Sequence, residues 1–585
     1  MRFVLCAINA KYIHSNLAVH SLKAYADSRG TENAEILVKE YTINQYTDDI
    51  LADLYEADPD VLIFSCYLWN INHVNVLARE FHKIRPSVPI WLGGPEVSYD
   101  ADDVLKTHPE VDMVMRGEGE VTFSKLVETY ETSPSDPWGR LALLPGIAWR
   151  NKISGNNKRE ETEEAEIIDN GMALPVDLDH LPFVYHDMEP FRNKILYYES
   201  SRGCPYHCSY CLSSLDGSVR FRSLDLVRKD LDAFLQAEVP QVKFVDRTFN
   251  CRKDHAMAIW NYINEKDNGV TNFHFEIAGD LLDQEEIALF ETMRPGLIQL
   301  EIGLQSTNKA TLEEIRRVVD AGKVISNIIA VRQTGKVHQH LDLIAGLPFE
   351  NYERFGRSFT EAFIFLPDQL QLGFLKVLKG TMMRDKATDY GLVYRDRAPY
   401  EVLSTKWMTY GDLIRLKRIE AILETYYNSG QYPYTLKYAI PFYATPFDFF
   451  EQFADWYHEQ GHDRRNHSRM EKCNLLHDFL MTHPELAPQK DVVEDILLYD
   501  WYCKEKSKIR PPWARDNSDY KKEWKLIFRK YGRHCHIERF GIDMQKLTAY
   551  GEVCHDISFC LFDYEDLHPL TGEAQGHFWR EGDCT

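Results

Sequence analysis

No apolar run in the sequence approaches the roughly 18–20 residues that a membrane helix needs, which argues against a membrane-spanning chain. Internal repeats and low-complexity tracts are also missing, so a solenoid and a low-complexity chain are excluded. Positive charge is in deficit: 90 Asp and Glu face 67 Lys and Arg, for a formal net charge of −23 at pH 7. That balance excludes broad electrostatic capture of nucleic acid but leaves room for a local basic patch. The opening MRFVLCAINA is too short and wrongly flanked for a secretory leader, and it reads as a first strand. Together these features predict a cytoplasmic protein with no membrane or DNA partner.

The chain has 585 residues, enough for three or four domains that each bury a core. Hydrophobic residues make up 44% and charged residues 27%, the balance of a globular protein. The 12 cysteines are clustered rather than spread like a disulfide framework, which points to metal ligation or catalysis.

The first part alternates strand and helix. RFVLCAI (2–8), VLIFSCY (61–67), PIWLGG (89–94) and VDMVMRG (111–117) are buried-strand runs, with amphipathic stretches such as NLAVHSLKAYADSRG between them. This rhythm predicts a parallel sheet covered on both faces, with ligands in the loops beyond the strand C-termini. Three such loops stand out: SCYLWN, GGPEVSYD and RGEGE. Paired glycines let a ligand come close to the backbone, or simply make tight turns; recurrence at one end of the sheet favours a ligand.

From Leu196 a second alternating series begins: LYYESSRG, VKFVD, FHFEIAG, LIQLEIGLQS, HLDLIAGLP and LQLGFLKVL. Six strand–helix units predict a partial parallel barrel with its chemistry at the strand C-terminal ends. The expected fold is therefore α/β: a doubly wound, Rossmann-like domain over 1–135, a linker with a small hairpin at GIAWRN over 136–190, a partial (β/α)6 barrel over 191–398, and a mostly helical domain over 399–585.

The first barrel strand runs into CPYHCSYC, which places Cys204, Cys208 and Cys211 within eight residues. Three thiolates at this spacing can converge on one [4Fe–4S] cubane, which usually takes four; with three, one iron keeps an open site. The rival readings are a zinc knuckle and chance clustering. Structural zinc wants four ligands, and His207 lies inside the loop, where it is badly placed to be the fourth.

CPYHCSYC resembles the CxxxCxxC signature of the radical S-adenosylmethionine (SAM) enzymes, with Tyr210 at the family's aromatic position near adenine. The resemblance implies that the open iron chelates the methionine part of SAM, that reductive cleavage yields a 5′-deoxyadenosyl radical, and that a flavodoxin- or ferredoxin-like donor supplies the electron. It further implies SAM contacts at Phe244 and Asp246 in FVDRTFN, whose backbone would meet the methionine amino group, at Glu301, Gln305 and Ser306 in the ribose-contacting EIGLQS, and at Gly346 in GLP near adenine. Glu276 in FEIAGD is either another such contact or a satisfied interior carboxylate.

A doubly wound domain directly ahead of such a barrel resembles the cobalamin-binding subclass, over roughly residues 1–400. The resemblance implies cobalamin held by Ser65, Tyr67 and Trp69 in the first of the three loops, by Gly93, Gly94, Pro95 and Glu96 in the second, and by Gly117, Glu118 and Glu120 in the third. The DxHxxG motif that supplies a lower axial histidine in other cobalamin proteins is absent, and His14 in the first loop has neighbours that do not match it. The Tyr67–Trp69 stretch either covers the lower corrin face or packs as aromatics at a sheet edge. The implied activity is methyl transfer from methylcobalamin to an unactivated carbon of a small-molecule, peptide or RNA substrate.

The alternatives are a non-methylating rearrangement or cyclisation, an RNA-modifying enzyme, and a cobalamin sensor with an inactive barrel. A methylthiotransferase would need a second cysteine triad, yet only Cys6 and Cys66 precede Cys204. The tail carries 12 Lys and Arg against 5 Asp and Glu between Lys504 and Arg539, interleaved with Trp513, Tyr520, Trp524, Phe528 and Tyr531. This reads as an RNA-binding face or, preferably, as a solvated helix face with buried aromatics. His534, His536, Cys554 and His555 are candidates for a zinc site, though their spacing fits no standard finger.

Overall fold

The computed structural model describes residues 1–30, 34–132, 138–151, 166–215, 217–520, 524–525, 527–528, 532 and 534–580. The chain divides into two compact units. The first holds residues 1–299, 313–319 and 374–406; the second holds 300–312, 320–373 and 407–585.

The first unit opens with a seven-stranded sheet. Its strands are β1 (Arg2–Asn9), β2 (Glu35–Thr42), β3 (Val61–Ser65), β4 (Ile90–Gly93), β5 (Met113–Met115), β6 (Ile147–Asn151) and β7 (Glu166–Asp169), in the order β2-β1-β3-β4-β5-β6-β7. The first five pair in parallel, and β6 and β7 are antiparallel additions. The strand order reverses at β1, so the loops after β1 and β3 flank the crevice where doubly wound sheets take ligands. The GIAWRN hairpin read as part of a linker instead extends this sheet, because Met113 to Met115 offers an open edge that Ile147 to Trp149 covers. The stretch 152–165 of that linker lies outside the described residues.

Period-two alternation sorts β1 onto two cores. Val4, Cys6 and Ile8 pack with Ile50 and Leu54 of α2 (Thr47–Glu56) and with Val74, Leu77 and Phe81 of α3 (Ile71–Ile84). Phe3, Leu5 and Ala7 pack with Val19 of α1 (Leu17–Ser28) and with Phe123 and Leu126 of α5 (Gly119–Thr132). The apolar spacing of α3 puts one stripe on the sheet, as its helical period requires. On the same face as α3 lies α4 (Ala101–Thr107), burying Val104 and Leu105, and a short α6 (Trp138–Leu141) follows α5.

The second series begins in the first unit with β8 (Leu196–Tyr198), the short pair β9 (Ser201–Arg202) and β10 (Arg220–Phe221), α7 (Leu224–Gln236), β11 (Gln241–Phe244), α8 (Lys253–Glu265), β12 (Asn272–Ile277) and α9 (Gln284–Glu291). β11 pairs in parallel with β8 on one side and β12 on the other. After β13 (Ile298–Gln305) and α10 (Lys309–Glu314), the second unit continues through α11 (Ala321–Thr334), β14 (His338–Ala345), α12 (Tyr352–Phe363) and β15 (Gln369–Phe374). All six predicted barrel strands are present, each followed by helix or turn, and β13 and β14 alternate buried and half-buried positions.

A segment with α13 (Met382–Asp385), β16 (Val393–Tyr394) and β17 (Val402–Ser404) returns to the first unit. The rest of the second unit is helical through α14 (Tyr410–Ile422), α15 (Pro433–Ala439), α16 (Pro446–Glu459), α17 (Arg469–Leu480) and α18 (Lys490–Cys503). It then changes class: β18 (Cys535–Phe540), β19 (Ser558–Leu567) and β20 (Ala574–Arg580) form an antiparallel sheet that the helical reading of the tail overlooked. Among the described residues no helix is long and apolar enough to cross a membrane.

Gly94 ends β4 at φ +117°, and a Cβ there would meet the Cys66 carbonyl oxygen at 2.5 Å. Gly30 also has a positive φ, +79°, but open space around it. Gly30→Ala should therefore cost about 1 kcal/mol from backbone conformation alone, while Gly94→Ala adds a backbone collision and should cost ~3 kcal/mol. Urea midpoints of the two variants compare them directly, and equal midpoints would contradict this account.

Candidate functional site

The cysteine loop is held from three sides within the first unit. Gly203, at φ +102°, lets the chain turn where a Cβ would strike the Ser218 carbonyl oxygen at 1.8 Å. Asp246, wholly buried at the end of β11, accepts hydrogen bonds from the Ser200 amide, the Ser200 hydroxyl and the Ser201 hydroxyl at 2.9, 2.7 and 2.6 Å. Ser209 donates its amide to the Ile315 carbonyl at 2.9 Å, and its own carbonyl accepts from the Met383 amide at 2.8 Å. Ser214 closes the loop by donating to the carbonyls of Cys208 and Cys211 at 3.0 and 2.6 Å.

These anchors present three free thiols, with Cys204 and Cys208 buried and Cys211 half-buried. Cys204 Sγ lies 3.5 Å from Thr248 Oγ1. Arg317 brings Nη1 to 3.9 Å from Cys208 Sγ. Burial pushes the Cys208 thiol up, against the pull of Arg317. His207 is exposed and its Nδ1 turns to the Ser214 carbonyl at 3.4 Å, so it is not set as a fourth ligand. Among the described residues no three His, Cys, Asp or Glu side chains are gathered round a single metal ion. A cubane spreads its irons over several corners, and a three-thiolate loop beside a fixed cation fits its donor chemistry.

Tyr210 is half-buried beside Cys208, and burial pushes its phenol up. Phe244 does not offer its ring: it is fully buried among Tyr198, Phe249 and Phe275, because outward β11 positions face the helices. The Asp246 carboxylate is likewise taken up by the two serines. Glu276 stands 4.0 Å from Lys243 on the neighbouring strand. In the second unit, Glu301 and Gln305 occupy the half-buried face of β13, and Gln305 has φ +67°. Ser306 is buried and donates to Glu350 at 2.8 Å, and Gly346 turns the chain at φ +87°.

The front-domain loops divide into a platform and a set of anchors. Tyr67 and Trp69 stack at 4.4 Å with an interplanar angle of 9°. Trp69 is 44% exposed and its Nε1 donates to the Ile8 carbonyl at 3.1 Å, across the switch point of the sheet. Asn70 ties the same two strands by donating to Ile8 and Ser65 carbonyls at 3.1 and 2.8 Å. A flat, half-exposed aromatic pair beside Gly93, Gly94 and Pro95 fits a flat macrocycle.

The acidic candidates are engaged elsewhere. Glu118 accepts from Arg202 at 3.0 Å and from Arg220, and Glu120 accepts from Arg202 at 2.8 Å and from Ser21 at 3.2 Å. Burial raises the Glu120 carboxyl, but Arg202 outweighs it and holds the group below the usual range. Glu96 is buried under Tyr400, which donates to it, with Lys379 3.8 Å away; burial pushes its carboxyl up. Gly117 backs onto Ala173. His14 spends Nδ1 on the Tyr197 hydroxyl at 2.7 Å, and burial, then Lys11 and Lys243, lower its pKa.

The tail candidates also resolve. Arg510 pairs with Glu538 at 2.7 Å, Lys504 with Glu573 at 3.2 Å, and Arg515 with Asp495 at 3.4 Å. Trp513 stacks on His477, Tyr520 meets Phe559, and Trp524 and Phe528 pack against β18 and β19. These aromatics line a core; Tyr531 lies outside the described residues. His536 stacks on Tyr502 at 3.6 Å rather than joining a metal site.

With this geometry in place, three family models match the chain: the B12 binding domain over 4–127, the Radical SAM superfamily over 198–362, and a Protein of unknown function (DUF4080) over 388–562. The chain joins a B12-binding domain to a radical SAM domain. It is 25% identical over 51% of its length to the cobalamin-dependent radical SAM methyltransferase TokK of Streptomyces tokunonensis, and spans 44% of that protein. It is 22% identical over 58% of its length to an anaerobic magnesium-protoporphyrin IX monomethyl ester cyclase of Synechocystis, and spans 67% of it. The fold is similar to that of the cobalamin-dependent SAM radical enzyme OxsB, with TM-score 0.57 and 15% identity, covering 86% of this chain and 78% of that one.

Sequence reasoning missed Arg202, Arg317 and Thr248. A charged residue two positions before Cys204 was a usable signal for the first; the other two come from distant segments that no spacing reveals.

Two predictions follow from the site. Arg202→Met leaves Glu118, Glu120 and Glu199 together without that cation, and should destabilise the chain by ~3–5 kcal/mol; a loss below about 1 kcal/mol in urea melts contradicts it. Burial pushes the Asp246 carboxyl up to about 7. Between the ordinary carboxylate range, about 4, and that value, the folded chain holds a proton that the unfolded chain releases. Stability relative to Asp246→Asn should therefore fall as pH rises through that window, and a flat difference from pH 4.5 to 7.5 would show the carboxyl ionised throughout.

Proposed function

We propose that this protein is a cobalamin-dependent radical SAM methyltransferase acting on an unactivated carbon. The observation that carries the proposal is the tie between the cysteine loop and the front domain: Arg202, two residues before Cys204, is gripped by Glu118 and Glu120. Cys204, Cys208 and Cys211 would hold the [4Fe–4S] cluster, and the Tyr67–Trp69 platform with the Gly93–Gly94 turn would hold the corrin. Bound there, the two groups would supply reductive cleavage of SAM and delivery of its methyl group. The protein's own part is positional. Asp246 and Ser209 fix the thiol loop, Asn70 fixes the corrin crevice, and the aromatic platform shields it from water.

An external flavodoxin- or ferredoxin-like donor is the expected electron source, with a small molecule, peptide or RNA as substrate. The eleven described cysteines are all free, as a reducing compartment keeps them, which supports a cytoplasmic site of action. Similarity to a cyclase supports a second reading, in which the same cofactors drive ring formation without methyl transfer. The third reading, a cobalamin sensor with an idle barrel, requires that SAM stay intact.

Anaerobic reconstitution with iron, sulfide and hydroxocobalamin tests the proposal. The wild-type chain should bind about four irons and one cobalt, and should release 5′-deoxyadenosine with dithionite. Cys208→Ala should keep cobalt, lose iron and cleave no SAM. Retained iron and turnover in that variant overturn the cluster assignment. Label from methyl-tritiated SAM appearing in a product separates methyl transfer from cyclisation.

A further inference from the structure

We infer that Arg317 is a positioning residue that raises the reduction potential of the cluster by holding a permanent positive charge against Cys208; this rests on the cluster reading above. Its guanidinium Nη1 is 3.9 Å from Cys208 Sγ, and its Cζ lies 5.7 Å from the centre of the Tyr206 ring. Two residues of the cysteine loop thus face the same cation. The side chain is aimed by an unusual backbone: Arg316 adopts φ +55°, a left-handed conformation that costs a non-glycine residue about 1–2 kcal/mol. Such a conformation persists only where the surroundings impose it.

The surroundings do so here. Ile315 accepts the Ser209 amide at 2.9 Å, and Glu314 binds Lys386 at 3.0 Å and the Tyr390 hydroxyl. The turn 313–319 is therefore pinned just ahead of Arg317, to the cysteine loop through Ile315 and to the 386–390 stretch through Glu314. Arginine cannot lose its proton at any working pH, and its planar fork suits a thiolate acceptor.

The chemical step is the entry of one electron into the cluster from an external low-potential donor; no bond forms or breaks. The added negative charge is stabilised by a nearby cation in a partly buried site, so the charge of Arg317 favours the reduced form. Hydrogen bonding to the sulfur acts in the same direction. The sequence carries a large acidic excess, which by itself makes reduction harder.

The test is an EPR-monitored redox titration of the reconstituted full-length chain with dithionite, beside an iron count. At a fixed poise, Arg317→Gln should lower the ratio of reduced to oxidised cluster about tenfold, equivalent to 59 mV for one electron. Arg317→Lys keeps the charge but gives up the fork, and should fall part-way. If the glutamine variant fails to hold four irons, the lysine variant decides. Iron-loaded variants whose potentials coincide with the wild type overturn this inference alone. A wild-type chain that binds no iron overturns the cluster reading, and this inference with it.

Discussion

Arg202 sits among three carboxylates, those of Glu118, Glu120 and Glu199, with Arg220 as a second cation on Glu118. Carboxylates this poorly hydrated would cost several kcal/mol each if left alone. Their burial is tolerable because the guanidinium meets Glu120 and Glu199 bidentately and Glu118 with one further bond. The arrangement also has a direction. Glu118 and Glu120 open α5 of the front domain, Arg202 closes β9, and the first cluster thiol follows two residues later. A charge network that stabilises the fold therefore also fixes the cysteine loop against the start of α5.

The same economy recurs at Asp246 and Glu96. Each belongs to a motif that sequence reasoning assigned to a ligand, and each spends its carboxylate on the protein instead. Asp246 collects three donors from the serines that precede the cysteine loop. Glu96 is buried under Tyr400, more than 300 residues away in sequence. What is left facing outward in the front-domain crevice is backbone and aromatic surface: glycines at β4 and the Tyr67–Trp69 stack. Such a lining favours a large flat ligand, because it offers area and close approach rather than charge.

Much of this was legible before the structure. Apolar runs separated by amphipathic stretches located the parallel strands, since a strand buried on both faces has no other way to be written. The spacing of the three cysteines drew attention to the loop that Asp246, Ser209 and Ser214 anchor. Three things were not legible. The edge strands β6 and β7 are short and polar-flanked, so they read as linker. The antiparallel sheet from Cys535 to Arg580 mixes aromatics and charges on both faces and mimics a helical pattern. The partners of Arg202, Arg317 and Glu96 lie 82, 109 and 304 residues away, and a pairwise contact at that separation leaves no periodic trace.

The stretch from Leu378 to Tyr400 touches both the cysteine loop and the loop after β4. Met383 caps Ser209 in the cysteine loop, while Lys379 and Tyr400 close over Glu96, and Asn72 donates to the Ala398 carbonyl at 3.3 Å. The family of unknown function begins its match at residue 388, inside this stretch. The start of that match is therefore not a seam in the structure. A chimera that swaps the tail at residue 388 would split this brace between two parents, whereas a junction after residue 400 would carry it whole.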